Sequence, residues 1–285
     1  MFGLFDSIID WFRGLLIDGI MFNFTHMFNE ANREINEIAA TVGQTPAGWN
    51  PGVFSLIQTI SETVIIPIAG VILTFILCYE LIHMILEKNN MHDFETFMLF
   101  KWIFKTFCAV YILTNTFNIV MFVFGLAQSV VDGSANIISG SLDMDLALAN
   151  LAEQLDAMGI GELMGLYMQS ILLSFAMNIL SLCVFLIVYG RMIEIYLTIS
   201  VAPIPMSTMV NREWGGIGNS YLKSLFALAF QGFLIMICVA IYAVMLQNIT
   251  SAANIHTAMW GAAGYTVLLC FTLFKTGSLA KSIFS

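Results

Sequence analysis

The sequence predicts an all-α, polytopic integral membrane protein, and three observations carry that prediction. The 285 residues are 59% hydrophobic and 10% charged, whereas a soluble domain holds about 25% charged residues. Mean hydropathy is +0.87. Several apolar runs reach the ~20 residues that a helix needs to cross ~30 Å of hydrocarbon. No soluble core hides that much apolar surface, so lipid must cover it.

The opening stretch, MFGLFDSIIDWFRGLLIDGIMF, is an amphipathic helix in the interface plane, within an N-terminal arm over residues 1–55. Phe5, Ile8, Ile9, Phe12, Leu15 and Leu16 recur at helical spacing, with Asp6, Asp10 and Arg13 opposite them. It lacks the basic start of a signal peptide, and Asp10, Arg13 and Asp18 interrupt any apolar centre. The same three charges weigh against a sixth span.

A transmembrane domain over residues 56–285 follows, with spans expected at about 62–86, 106–131, 166–189, 221–247 and 258–275. Pro67 falls in the opening turn of the first, where a missing N–H costs little. Between the second and third spans, Ser141, Asp143 and Asp145 open an extracytoplasmic amphipathic helix, a placement the helix dipole favours. Leu148, Leu151 and Leu155 form its stripe, and Gly159 and Gly161 close it. It lies on lipid or packs on a neighbour.

Basic residues set the orientation. Lys88, Lys101 and Lys105 separate the first two spans; Arg191, Arg212 and Lys223 lie between the third and fourth; Lys275 and Lys281 end the chain. The segment from Asp132 to Glu162 has no Lys or Arg, nor has NITSAANIHT. An excess of Lys and Arg marks cytoplasmic loops, so the N-terminus is expected outside and the C-terminus in the cytoplasm.

The third span continues, broken, towards Met209 through YLTISVAPIPMSTMVNREWGG. A full span there would force Arg212 and Lys223 outside. Pro203 and Pro205 each remove a donor and clash with the preceding turn, so the helix must kink or stop. Broken backbone is not tolerated against lipid, so this elbow must face water or protein. Trp214 fits an interfacial anchor, and Gly215, Gly216 and Gly218 a tight turn into the fourth span.

Catalytic patterns are missing: there is no HExxH, Walker A, GxSxG or paired-carboxylate signature. Glu80 and His83 match the Glu-x-x-His spacing of bundle metal sites, but no second copy exists. The five cysteines stand alone in apolar runs, as buried thiols do. Neither an enzyme nor a metal or other cofactor is expected. Arg191 and Glu194 are one turn apart and form a candidate intramembrane pair, bland if Arg191 merely snorkels, functional if the two line a cytoplasmic vestibule. Asn115, Asn118 and Asn178 are expected to bond across helices. Gly161 with Gly165, and Gly261 with Gly264, permit close helix approach between protomers.

Spans of this number and orientation, and the stretch SVAPIPMSTMVNREWGGIGNSYLKSLFALAFQ with Ala202, Pro203, Pro205 and Trp214, resemble the TrbL-type family. This is the polytopic inner-membrane component of type IV secretion and conjugation systems, the sixth VirB protein. The chain departs from many members in lacking a long polar C-terminal tail, and resembles compact forms from Gram-positive conjugative elements. The resemblance implies a non-enzymatic channel or scaffold subunit, a homo-oligomer of about five protomers. Its partners would be other secretion membrane subunits and ATPases, membrane lipids, and transient single-stranded DNA with its relaxase. Arg191, Arg212 and Lys223 would form a basic cytoplasmic mouth. A small-molecule or ion transporter and a holin-like structural protein are the competing classes, although the inverted repeats common in transporters are missing here.

Overall fold

Lipid offers no partner to a backbone N–H or C=O, so apolar runs of this length must satisfy those groups internally, as helices. The computed structural model describes residues 2–87, 96–138, 151–250 and 255–285. Its helices are α1 (Phe2–Val42), α2 (Pro46–Trp49), α3 (Pro51–Ile60), a π turn (Ser61–Ile65), α4 (Ile66–Glu87), α5 (Thr96–Thr114), α6 (Thr116–Ile138), α7 (Ile160–Ser200), α8 (Pro203–Thr208), α9 (Gly215–Thr250) and α10 (Ile255–Phe284). Residues 151–156 are helical too, and no strand occurs among the described residues.

Among the described residues, five helical stretches are long and apolar enough to cross a membrane: Pro51–Leu86, Phe97–Thr114, Ile160–Ser200, Gly215–Gln247 and Ile255–Phe284. The chain is an all-α multi-pass membrane protein. Two stretches differ from expectation. The helix expected over residues 106–131 divides between α5 and α6 at Asn115. There Thr114, Asn115 and Thr116 each bond back to a carbonyl four residues earlier, on Val110, Tyr111 and Ile112, all at 2.9 Å. Side-chain bonds of this kind bend a helix. Asn178 likewise bonds the Ser174 carbonyl of its own helix at 2.9 Å, so neither Asn115 nor Asn178 makes the expected cross-helix bond.

The other difference is the first crossing stretch, which starts earlier, at Pro51, so that Pro67 sits inside it. Proline clashes with the carbonyl four residues back, and the wider π turn at Ser61–Ile65 lies where that clash falls.

Two compact units form. The first comprises Met1–Val42, Asp132–Tyr189 and Leu234–Thr276. The amphipathic opening does not stop near residue 22 but continues as one helix of 41 residues, about 60 Å long at 1.5 Å per residue. Leu16, Ile20, Phe24, Met27, Ala31, Ile38 and Val42 form its buried stripe, while Ile8, Trp11, Leu15 and Phe22 stay exposed. A helix apolar on both faces needs protein on one and lipid on the other. Arg13 donates to the Asp156 carbonyl, Asn23 to Ser170 Oγ at 2.9 Å, and Glu30 accepts from Ser181 Oγ at 2.9 Å. These contacts ascend both helices, so α1 runs parallel to α7. Helix α10 does the same, through His256–Gln169 at 3.0 Å and Cys270 to the Leu180 carbonyl at 3.6 Å.

The acidic segment's Ser141, Asp143, Asp145 and Leu148 lie outside the described residues, as does His92. Leu151 and Leu155 are buried, so the described part packs on neighbours. Gly161 does not close that helix: α7 starts at Ile160, and the Glu162 carboxylate accepts from the Gly159 N–H at 3.2 Å, satisfying an otherwise orphan donor.

The second unit comprises Gly43–Val131, Gly190–Phe233 and Gly277–Ser285. Thr45-Pro46 and Asn50-Pro51 start α2 and α3 alike: the polar side chain caps an N–H at 3.0 Å and proline takes a position that needs no donor. Ala69, Leu73 and Leu77 of α4 pack on Ala109 and Leu113 of α5, and Lys105 pairs with Glu80. A second core joins Phe117, Val120 and Phe124 of α6 to Met192, Ile195 and Ile199 of α7 and to Leu225 and Leu228 of α9.

Candidate functional site

The helix break lies in the second unit, where the prolines place it. Helix α7 ends at Ser200, and the chain turns through Val201 and Ala202 into the six residues of α8, with Pro203 first. Tight i→i+3 bonds carry the turn, from Ala202 N–H to the Ile199 carbonyl at 3.2 Å and from Ile204 N–H to that of Val201 at 3.1 Å.

Protein, not lipid, covers the break. Ala202, Pro203, Met206, Ser207, Thr208 and Asn211 are buried. Ile204 and Val210 pack on the α4–α5 cluster of Ala69, Leu73, Leu77, Ala109 and Leu113. Thr208 Oγ1 donates to the Pro205 carbonyl at 2.8 Å and accepts from the Gly218 N–H at 3.1 Å. Asn211 Oδ1 accepts from the N–H groups of Glu213 at 2.7 Å and Trp214 at 3.2 Å, capping the turn into α9. Every chain reversal inside a membrane protein faces this same demand.

The glycines divide by role. A Cβ on Gly218 would come within 2.6 Å of the Pro205 carbonyl oxygen, and one on Gly215 within 3.1 Å of that of Met209, whereas Gly216 faces open space. Gly218 thus permits close approach of α9 to α8, rather than supplying a turn. Trp214 stacks on Phe75 and Tyr79 of α4, with centroids 5.8 Å and 6.3 Å apart.

The expected charges do not gather. Arg191 is buried, 7% exposed, and donates to the Leu228 carbonyl at 3.4 Å. Glu194 pairs with Lys281 at 3.5 Å and lies beyond ion-pair distance of Arg191, although its charge still acts on that guanidinium. Burial also takes Arg191 off any open basic mouth. Arg212 and Lys223 are exposed, and Lys223 shares a cleft with Lys281. Gly161, Gly165 and Gly264 are exposed, and a Cβ on any of them meets nothing within 4 Å in the protomer.

One polar cluster escaped the sequence reading. In the first unit, Glu30, Arg33, Glu34 and Glu37 recur along α1 at helical spacing and, with Asn178, Ser181 and Tyr189 of α7, line a cavity of about 410 Å³. Arg33 pairs with Glu30, and with Glu37 at 2.9 Å. Glu34 is 3% exposed, and neither of its carboxylate oxygens has a hydrogen-bond partner. Burial pushes its carboxyl up to about 7, against a weaker opposing pull from Ser181, whose proton goes to Glu30. Arg33 holds Glu30 below the ordinary value. The signal was the run NEANREINE, whose charges share one helix face.

The family model for TrbL/VirB6 plasmid conjugal transfer like proteins matches residues 31–203. The chain belongs to this family. It is a membrane component of conjugal-transfer, type IV secretion machinery. The match runs from α1 to the first residue of α8, so it includes Ala202 and Pro203 and ends before Pro205 and Trp214. Neither the curated proteins nor the solved structures contain a match.

Proposed function

We propose that this TrbL-family chain is a non-enzymatic channel or scaffold subunit, around or beside which single-stranded DNA and its attached protein cross the membrane. Separate ATPases would power transfer, and other secretion membrane subunits would surround the chain. The observation that carries the reading is the family match combined with a largely buried helix break at its edge. A rigid elbow of this kind anchors helices on one side of a membrane and offers its outer surface to partners. Arg212 is the exposed basic residue proposed for the cytoplasmic mouth.

The proposed orientation has the 141–162 segment and the N-terminus outside, with Arg212 and the C-terminus in the cytoplasm. The Arg13–Asp156 contact is consistent with it, because it puts the start of α1 beside the residues that precede α7, on whichever side those lie. Gly161, Gly165, Gly261 and Gly264 are proposed as contacts in a cyclic homo-oligomer of about five protomers.

The test uses a donor strain whose conjugative element lacks this gene. Complementation should restore DNA transfer, and the transferring strand, crosslinked with formaldehyde, should precipitate with the tagged chain. Wild-type transfer without the gene, or solute uptake by liposomes holding the pure protein, would overturn the reading.

A further inference from the structure

Two adjoining grooves of the second unit have opposite chemistry. A cleft of about 340 Å³ is lined by Ser220, Lys223, Ser224 and Ala227 of α9, by Lys281 and Phe284 of α10, and by Ser285. A groove of about 160 Å³ is lined by Val123, Leu126, Ala127 and Val130 of α6, by Phe226, Ala229 and Phe230 of α9, and again by Phe284. At 100° per residue, 220, 223, 224 and 227 share one face of α9, and 226, 229 and 230 the neighbouring face. Phe284 forms the ridge between them, 6.2 Å from Phe226 and 5.7 Å from Phe230 by ring centroid.

We propose that this bipartite surface is a binding site for an acidic phospholipid, with the headgroup phosphate on Lys223 and Lys281 and an acyl chain along the α6–α9 groove. Four observations favour that occupant. Both lysines are exposed, and among the described residues no carboxylate lies within ion-pair distance of Lys223. Lys281 has one partner, Glu194 at 3.5 Å, and side chains of that pair are 62% and 51% exposed, so a phosphate can displace it at little cost. Leu126, Val130 and Phe226 remain exposed on an apolar groove within a membrane protein, where an acyl chain is the available cover. Finally, on the proposed orientation both lysines lie at cytoplasmic helix ends, where basic pockets suit acidic headgroups. The site therefore assigns Lys223 to the bilayer rather than to the DNA path.

The test is native mass spectrometry of the delipidated, detergent-solubilised full chain, incubated with dioleoylphosphatidylglycerol or dioleoylphosphatidylcholine. The wild type should retain phosphatidylglycerol preferentially. A lysine beside an acidic headgroup is worth about fivefold in binding, so K223Q/K281Q should lower that preference by roughly an order of magnitude. Lys101→Gln, an exposed lysine elsewhere, should leave it unchanged. Glu194→Gln should strengthen retention by freeing Lys281, and Ala127→Phe should weaken retention of both lipids by filling the groove. Circular dichroism confirms that each variant is folded, and the exposed lysine variants decide the matter if Ala127→Phe is not. Equal phosphatidylglycerol retention by wild type and K223Q/K281Q overturns the proposal. So does full competition by glycerol phosphate, which would show a phosphate site without an acyl groove.

Discussion

Glu34 shows how one side chain couples helix packing to solution pH. Burial pushes its carboxyl up to about 7 from the ordinary 4.5. At ~1.4 kcal/mol per pH unit, ionising it in place costs on the order of 3 kcal/mol. Because the folded value is raised, this residue's contribution is complete below pH 4.5 and is lost as pH climbs towards 7. Glu30, whose value is lowered, works in reverse, losing its contribution as pH falls through the acid range. His26, Arg33 and Glu37 on α1 share the field, and Tyr242 and Cys270 feel the Glu34 charge from α9 and α10. Thermal unfolding in detergent should therefore show a falling midpoint from pH 4.5 to 7 that Glu34→Gln flattens. An unchanged slope in that variant would remove Glu34 as its cause. Gly218 poses a purely steric question at the same scale. Gly218→Ala forces a shift of the Pro205 carbonyl, at a cost of about 1–3 kcal/mol for overpacking. Gly216→Ala, in open space within α9, should be neutral or gain up to about 1 kcal/mol from helix propensity. Equal midpoints for the two variants would contradict the close approach.

Among the elements, the broken helix was the most legible, because proline acts locally and its two missing donors are visible in any sequence. What covers the break was not legible. The residues that seat α8 lie on α4 and α5, more than ninety positions earlier, and nothing in APIPMST points to Ala69 or Leu113. Asn211 was passed over for the same reason: an asparagine becomes a cap only once the turn it serves is known. The division at Asn115 was hidden for a different reason. The polar run TNTFN at 114–118 is averaged away in a span-length window, while the bend comes from three consecutive back-bonding side chains within it. Along α1 the signal was present but outweighed. Its charges argued against lipid, and the buried stripe from Leu16 to Val42 shows that they share the helix with a face for protein. If the elbow matters for assembly rather than insertion, Pro203→Ala with Pro205→Ala should restore the missing donors and let α7 run straight. Membrane abundance should then hold near wild type while conjugation frequency falls by at least about tenfold, the effect of roughly 1.4 kcal/mol on an assembly equilibrium. Unaltered transfer in the double variant would take the elbow out of the mechanism.

For the whole molecule, the proposed channel role turns on whether several copies together enclose a path. The five stretches long and apolar enough to cross among the described residues are too few to surround a strand of DNA with packed side chains, and closed rings are the usual way in which identical subunits enlarge an enclosure. The exposed glycines at 161, 165 and 264 leave backbone accessible on the outside of the protomer, as a tight helix contact with a second copy requires. In such a ring the acidic 141–162 segments would gather at the outer mouth. Their shared charge would keep phosphates away over roughly the 8 Å screening length of physiological salt. Arg212 from every copy would gather at the inner mouth, where a strand is first held. Two measurements check this arrangement together. Cysteines placed at Ser141 and at the exposed Arg212 in a cysteine-free background should react with an impermeant maleimide on whole cells at 141 alone. Native mass spectrometry in mild detergent and in nanodiscs should show a closed oligomer near five copies, and Gly165→Leu should shift it towards monomer because a branched side chain holds the helices apart. A wild-type protein that stays monomeric in both environments would leave no enclosure for DNA, and the chain would then act beside the path rather than around it.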